Sequence, residues 1–116
     1  MSVQEPNTVD FVSLGSEPNT ALLVVSDQLD WNRSLDHQMA LQEKLNAYLA
    51  FIESRELYRR FPKADGKRVE IRVILQYAPD ASGEQFLRKV EEFISRAGFS
   101  FSYQVGLTPF PPGQAN

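Results

Sequence analysis

The sequence has no cysteine among its 116 residues. Disulfide bonds, thiolate catalysis and cysteine metal sites are therefore excluded. It also has no run of about 18 apolar residues that could cross a bilayer, and its N-terminus lacks the apolar segment of a secretory signal. We therefore expect a cytoplasmic protein with no membrane partner.

The sequence also lacks the common catalytic motifs. It contains no glycine-rich phosphate loop, no GxSxG turn and no HExxH pair. His37 is the only histidine, and its neighbour Asp36 does not share its side of a helix, so we expect His37 on the surface rather than as a general base. These absences predict a protein that is not an enzyme and that needs no metal or other cofactor.

Positive charge is scarce as well. The chain has 12 Lys and Arg against 15 Asp and Glu, which gives a formal net charge of -3. A protein that binds a nucleic-acid backbone needs a concentrated basic surface, so we expect no nucleic-acid partner. The remaining composition, 42% hydrophobic and 23% charged, is typical of one globular domain.

The spacing of the apolar residues predicts an α+β fold with the order ββαβαβ. Alternating or continuous apolar runs indicate strands at 9–14, 21–25, 68–77 and 99–105. Helical spacing indicates one helix over 34–57 and a second that begins near Ser82 and ends before Gly98. Because each helix has a single apolar side, we expect a two-layer sandwich, a four-stranded mixed sheet with both helices on one face.

The same patterns predict which side chains face the core. Residues 21–25 are apolar on both faces, which indicates a central strand. The side chains expected between sheet and helices are Leu41, Leu45, Tyr48, Leu49, Ile52, Phe86, Leu87, Val90, Phe93, Ile94, Phe99, Phe101, Tyr103 and Val105. The opposite face of the sheet is expected to be polar and wet. We expect residues 1–8 to be a disordered N-terminal lead-in, 9–105 to be the single domain and 106–116 to be a flexible tail rich in proline and glycine.

The most unusual local chemistry lies where the second strand turns into the long helix. Asp27, Asp30 and Trp31, the only tryptophan, occur within five residues of one another. The two carboxylates are expected to accept backbone N–H bonds in the turn, to help cap the helix and to favour its positive N-terminus. Alternatively they bind a cation or a small molecule, or the junction contacts a protein. Trp31 is expected to pack over the edge of the core.

Two further features of the long helix are candidates for binding. Gln42, Asn46 and Glu53 form a polar stripe along one edge of its apolar side, and they either bond to neighbouring elements or face a partner. Phe51 lies with Ala40 and Ala47 off the main apolar arc. We expect this flank to pack against the second helix; otherwise it is a surface suited to self-association.

Four segments of the chain, VDFVSL, ALLVVSDQLDW, LQEKLNAYLAFIESRELY and KRVEIRVILQYAPD, resemble a family of small uncharacterised bacterial proteins with a domain of unknown function. The likeness covers residues 9–105 and is most specific in SD-x-LDW and LQEK-x-NAYLAFIES. It implies a bacterial, cytoplasmic origin and supplies no activity.

Three functional hypotheses follow. The first is a non-catalytic protein-interaction module, in one version a homodimer, that uses the long helix or the polar sheet face. The second is an immunity-like protein that neutralises a toxin, suggested by small size and acidity. The third is a small-molecule or metal-binding domain at the strand-to-helix junction.

Overall fold

The computed structural model describes residues 11–14 and 19–106. Four strands form one sheet: β1 (Phe11–Ser13), β2 (Thr20–Asp27), β3 (Arg68–Leu75) and β4 (Ser100–Val105). The helices are α1 (Ser34–Glu53), α2 (Glu56–Arg60) and α3 (Ala81–Arg96), with a short 3₁₀ turn at Pro62–Ala64. The predicted lead-in, 1–8, and all but the first residue of the predicted tail lie outside the described residues. In that described part no helix is both long and apolar enough to cross a membrane.

The sheet is mixed, as the sequence predicts, and its strands lie in the order β1-β2-β3-β4. β1 pairs antiparallel with β2. β2 pairs parallel with β3, and β3 pairs parallel with β4. β2 has a neighbouring strand on each side, and its apolar run at 21–25 is buried on both faces of the sheet.

The main core lies between one face of this sheet and the helices α1 and α3. Alternate residues of β2 and β3 point into it, as the period of two requires. The side of α1 predicted to face the core does so. The buried members of this core from the sheet and the two long helices are Ala21, Leu23, Val25, Val69, Ile71, Val73, Leu75, Phe101, Leu41, Leu45, Tyr48, Leu49, Ile52, Leu87 and Ile94.

The single long helix predicted over 34–57 is wrong at its C-terminal end. α1 stops at Glu53, and Arg55 has a left-handed backbone with φ 68° before α2 begins. At 100° per residue, a continuous helix would carry Leu57 to the exposed side, about 160° from His37. With the break, Leu57 is fully buried.

The sheet face opposite the helices is less wet than the sequence predicts. Leu22, Val24 and Ile74 form a second, smaller buried cluster there. Beside it, Arg72 donates two hydrogen bonds to Glu70, and Ser102 donates a third. Because these polar groups satisfy one another, this face offers little unpaired polar chemistry to a partner.

Three predicted core positions are exposed. Tyr103 and Val105 lie on β4, which is an edge strand among the described residues, and both are substantially exposed. Phe93 of α3 is 62% exposed. α3 covers the sheet with Leu87 and Ile94, and this leaves Phe93 beside the space that separates α3 from α1.

Candidate functional site

The junction between β2 and α1 is built around a buried pair of ionisable side chains. His37 lies in the first turn of α1, and its Nε2 is 2.5 Å from Oδ2 of Asp27, the last residue of β2. The two side chains are 1% and 0% exposed. The prediction that His37 is a surface residue is therefore wrong.

The hydrogen bonds of this pair restrict where its protons can be. His37 Nδ1 lies 3.0 Å from the backbone carbonyl oxygen of Asp30. A carbonyl oxygen can only accept, so Nδ1 carries a proton. One more proton is needed between His37 Nε2 and the Asp27 carboxylate, since two lone pairs would otherwise face each other. The pair is neutral overall whichever atom holds that proton.

Trp31 closes this pair off from solvent. Its ring is stacked on the His37 ring, with centroids 3.7 Å apart and an interplanar angle of 29°. Its Nε1 donates a 3.1 Å hydrogen bond to the carbonyl oxygen of Tyr77, just beyond β3. Trp31 is buried, which agrees with the prediction that it packs over the core edge and removes it as an exposed binding residue.

Hydrogen bonds hold the N-terminus of α3 at the same junction. Asp80 is its N-cap, and its carboxylate accepts a 2.7 Å bond from the Gly83 amide. This cap places the start of α3 at Ala81, close to the predicted start near Ser82. Ser34 of α1 donates to the Asp80 carboxylate, and Gln38 of α1 donates to the Ser82 hydroxyl. The starts of α1 and α3 are held together by these bonds.

The two aspartates of the junction have separate structural partners. Asp27 Oδ1 accepts from the Leu29 amide, and Asp30 Oδ1 accepts from the Asn32 amide. Both turns precede α1, and neither side chain caps the helix itself. Among the described residues no group of three or more His, Asp or Glu side chains is placed to hold a metal ion. These bonds, with Asp27 enclosed, hold the starts of α1 and α3 in place at the junction.

An accessible groove lies between α1 and α3. Its volume is about 300 Å³. Its walls are mainly apolar and carry amide groups on the α1 side and one ammonium group on the α3 side. The lining residues are Gln42, Leu45, Asn46, Leu49, Phe86, Lys89, Val90, Phe93 and Ile94. This is the concave surface where apolar side chains of the fold remain open to a ligand.

The predicted site residues of α1 divide between the two sides of the helix. Gln42 and Asn46 line the groove and are exposed. Glu53 continues the same stripe, four residues after Leu49, and is also exposed. Phe51 is half-buried against the core and does not line the groove. On the helical wheel it lies nearly opposite the stripe, so the expected packing of the Phe51 flank against the second long helix is wrong.

Sequence reasoning missed a second buried polar residue on α1. Lys44 is fully buried, with Nζ 5.7 Å from the centroid of the Tyr48 ring. Tyr48 in turn donates to the carbonyl oxygen of Val24. Helical spacing contained the signal, because Lys44 follows His37 by seven residues and precedes Tyr48 by four. Lys44 falls within the apolar arc by position, although lysine is a residue type that is seldom fully buried.

Fold and site together define a small two-layer α+β domain with a closed polar junction and an open apolar groove. The chain belongs to a family of unknown function, DUF6572, whose model matches residues 1–106. Comparison with the curated proteins and with the solved structures finds no match.

Proposed function

We propose that this chain is a non-catalytic protein-interaction module whose binding surface is the groove between α1 and α3. The observation that carries this proposal is the exposure of Phe93 beside an apolar groove. An aromatic side chain exposed to 62% at the rim of such a groove is typical of a residue that anchors a partner.

The other candidate surfaces support binding less well. At the junction, Asp27 and His37 are sealed beneath Trp31, and a general base or a metal ligand must reach its substrate or ion. On the far face of the sheet, the Glu70 and Arg72 side chains are already bonded to each other. The groove instead combines open apolar area with polar groups at its edges.

The chemistry of the groove suits a protein helix better than an extended chain. Among the described residues no sheet edge borders it, so it offers no row of backbone N–H and C=O groups for strand addition. Its apolar walls lie between two helices, where an amphipathic helix can insert apolar side chains three and four residues apart. Gln42, Asn46 and Lys89 would then bond to polar groups at the margin of the partner.

We place this module in the cytoplasm. The lack of cysteine supports that location, since small domains of oxidising compartments commonly rely on disulfides.

Site-specific photocrosslinking in the cells that make the chain tests the proposal. A photoreactive phenylalanine analogue replaces Phe93, and a matched variant carries it at Arg88, which is exposed on the other side of α3. We expect a discrete protein adduct from position 93 alone. The adduct should disappear when Asn46→Arg adds bulk and charge to the opposite wall. Equal adducts from both positions, or none from position 93, would overturn the proposal.

A further inference from the structure

We propose that the occupant of this groove is a second copy of the same chain, held by Glu53 of each copy against Arg96 of the other. The inference rests on the proposed function, because it names the partner of the same surface. Charge complementarity between the two helices carries it.

Opposite charges lie at the same end of the two-helix layer. α1 follows β2 and α3 follows β3, and β2, β3 and β4 are mutually parallel. The two helices therefore run in the same direction, and their C-terminal ends lie at one end of the sheet. Glu53 ends α1 and Arg96 ends α3.

Both residues lie on the stripes that line the groove. Glu53 is seven residues after Asn46, and Arg96 is seven residues after Lys89. Positions seven apart share a side of a helix. Within residues 11–14 and 19–106, neither Glu53 nor Arg96 takes part in an ion pair. An acidic end of one helix and a basic end of the other are therefore open to an outside partner.

A two-fold axis parallel to the helices makes this pattern self-complementary. Such an axis places α1 of one copy over α3 of the other at the same height along the helices. Each Glu53 then faces an Arg96, and the interface contains two equivalent ion pairs, as an isologous contact requires. A two-fold axis across the helices would instead stack α1 on α1, so the charges select the first arrangement.

Exposed apolar side chains supply the remainder of the contact. Phe93 of α3 is exposed, as are Leu35 and Met39 of α1. Leu35 and Met39 are seven and three residues before Gln42, so they extend the groove stripe toward the start of α1. In a face-to-face dimer, Phe93 of one copy meets the α1 stripe of the other.

The available area is enough for a weak specific dimer. The 20 residues of α1 and 16 of α3 give lengths of about 30 and 24 Å, and two helices side by side are about 20 Å wide. The layer can therefore bury roughly 500–600 Å² per copy, near the lower limit for specific association. We expect a reversible dimer rather than a permanent one.

Reversing the charge of Glu53 or Arg96 tests this inference. Dimerisation of the full chain is measured by sedimentation equilibrium between about 10 μM and 1 mM, because a weak interface dissociates in that range. The unmodified chain should be in a monomer–dimer equilibrium. Glu53→Lys and Arg96→Glu should each weaken dimerisation by about tenfold or more, because each creates two like-charge contacts. An equimolar mixture of the two variants should recover a heterodimer, since it contains one original Glu53–Arg96 ion pair and one ion pair of reversed sign.

Two exposed charges of α3 on the side away from the groove serve as matched controls. Glu91→Lys and Arg88→Glu change the net charge by the same amounts and should leave dimerisation unchanged. Phe93→Ser should weaken the dimer by more than about tenfold, because it removes the aromatic side chain that anchors the contact. A monomer at every concentration, or two reversal variants that fail to associate when mixed, would overturn the inference.

The crosslinked adduct at position 93 separates this inference from the proposed function. An adduct with twice the mass of the chain supports both. An adduct with a different protein supports the interaction module and overturns the second copy as its occupant. The absence of any adduct overturns both.

Discussion

The junction and the groove show opposite relations between chemistry and exposure. At the junction, the sequence suggests that His37 is exposed to solvent and that Asp27 is a candidate ligand-binding residue. Both side chains are buried, and each has defined hydrogen-bond partners. At the groove, aromatic and aliphatic side chains predicted to be core are left open. Buried polar groups that are fully bonded fix a structure, whereas open apolar groups leave room for a partner. The polar residues of the junction therefore stabilise the fold, and the apolar residues of the groove are the better candidates for function.

The largest expected effect on the free energy of unfolding comes from removing the buried carboxylate of Asp27, and it tests the junction side of this comparison. Asp27→Ala leaves His37 Nε2 without its hydrogen-bond partner in a closed site, and removing one partner of a buried ionisable pair costs up to about 3–5 kcal/mol. Small domains are stable by only about 5–15 kcal/mol, so urea denaturation should show a large fall in the midpoint. Asp27→Asn is the matched control. Its amide can donate to Nε2 of a neutral His37, and we expect a loss of about 1–2 kcal/mol.

Equal losses for the alanine and asparagine variants would mean that the negative charge of Asp27, rather than its hydrogen bond, holds the junction. An alanine variant within about 1 kcal/mol of the original would contradict the structural role itself.

A smaller effect is expected where Trp31 meets α3. A Cβ added at Gly83 would lie 2.7 Å from Cζ3 of Trp31 and 2.9 Å from Cε3. Gly83→Ala must therefore displace the indole, at a cost of about 1–3 kcal/mol that exceeds the helix propensity gained by alanine. As Trp31 is the only tryptophan, its fluorescence should report the displacement directly. An unchanged emission spectrum with unchanged stability would contradict this packing, and Gln85→Ala at an exposed site of the same helix is the control.

The sequence predicts the layers of this fold well because they depend on patterns within single elements. The apolar run at 21–25 predicts a central strand, and the alternation at Val69, Ile71 and Val73 predicts the side of β3 that faces the core. Both predictions are confirmed. The order of the strands depends on contacts between elements and could not be derived in this way.

The errors at the site have a common physical cause. His37 and Asp27 are ten residues apart, and their contact exists only after α1 folds back against the end of β2. Phe93 fits the apolar spacing of α3, but its burial depends on how far α3 lies from α1. A helical period shows which side of a helix is apolar, and the distance between two helices decides whether that side is covered.

The smallest expected effect on stability comes from replacing Phe93 at the groove. It tests directly whether the groove residues, unlike those of the junction, are dispensable for the fold. Phe93→Ser removes an aromatic ring that is largely in water already, so the free energy of unfolding should change by no more than about 0.5 kcal/mol. Leu87→Ala, on the same helix but fully buried, should cost about 2–5 kcal/mol. Urea denaturation of both variants should be measured at a concentration where the chain is monomeric, because a dimer would stabilise the native state by mass action. If Phe93→Ser costs as much as Leu87→Ala, Phe93 belongs to the core of the domain, and the groove loses the residue on which its assignment as a binding surface depends.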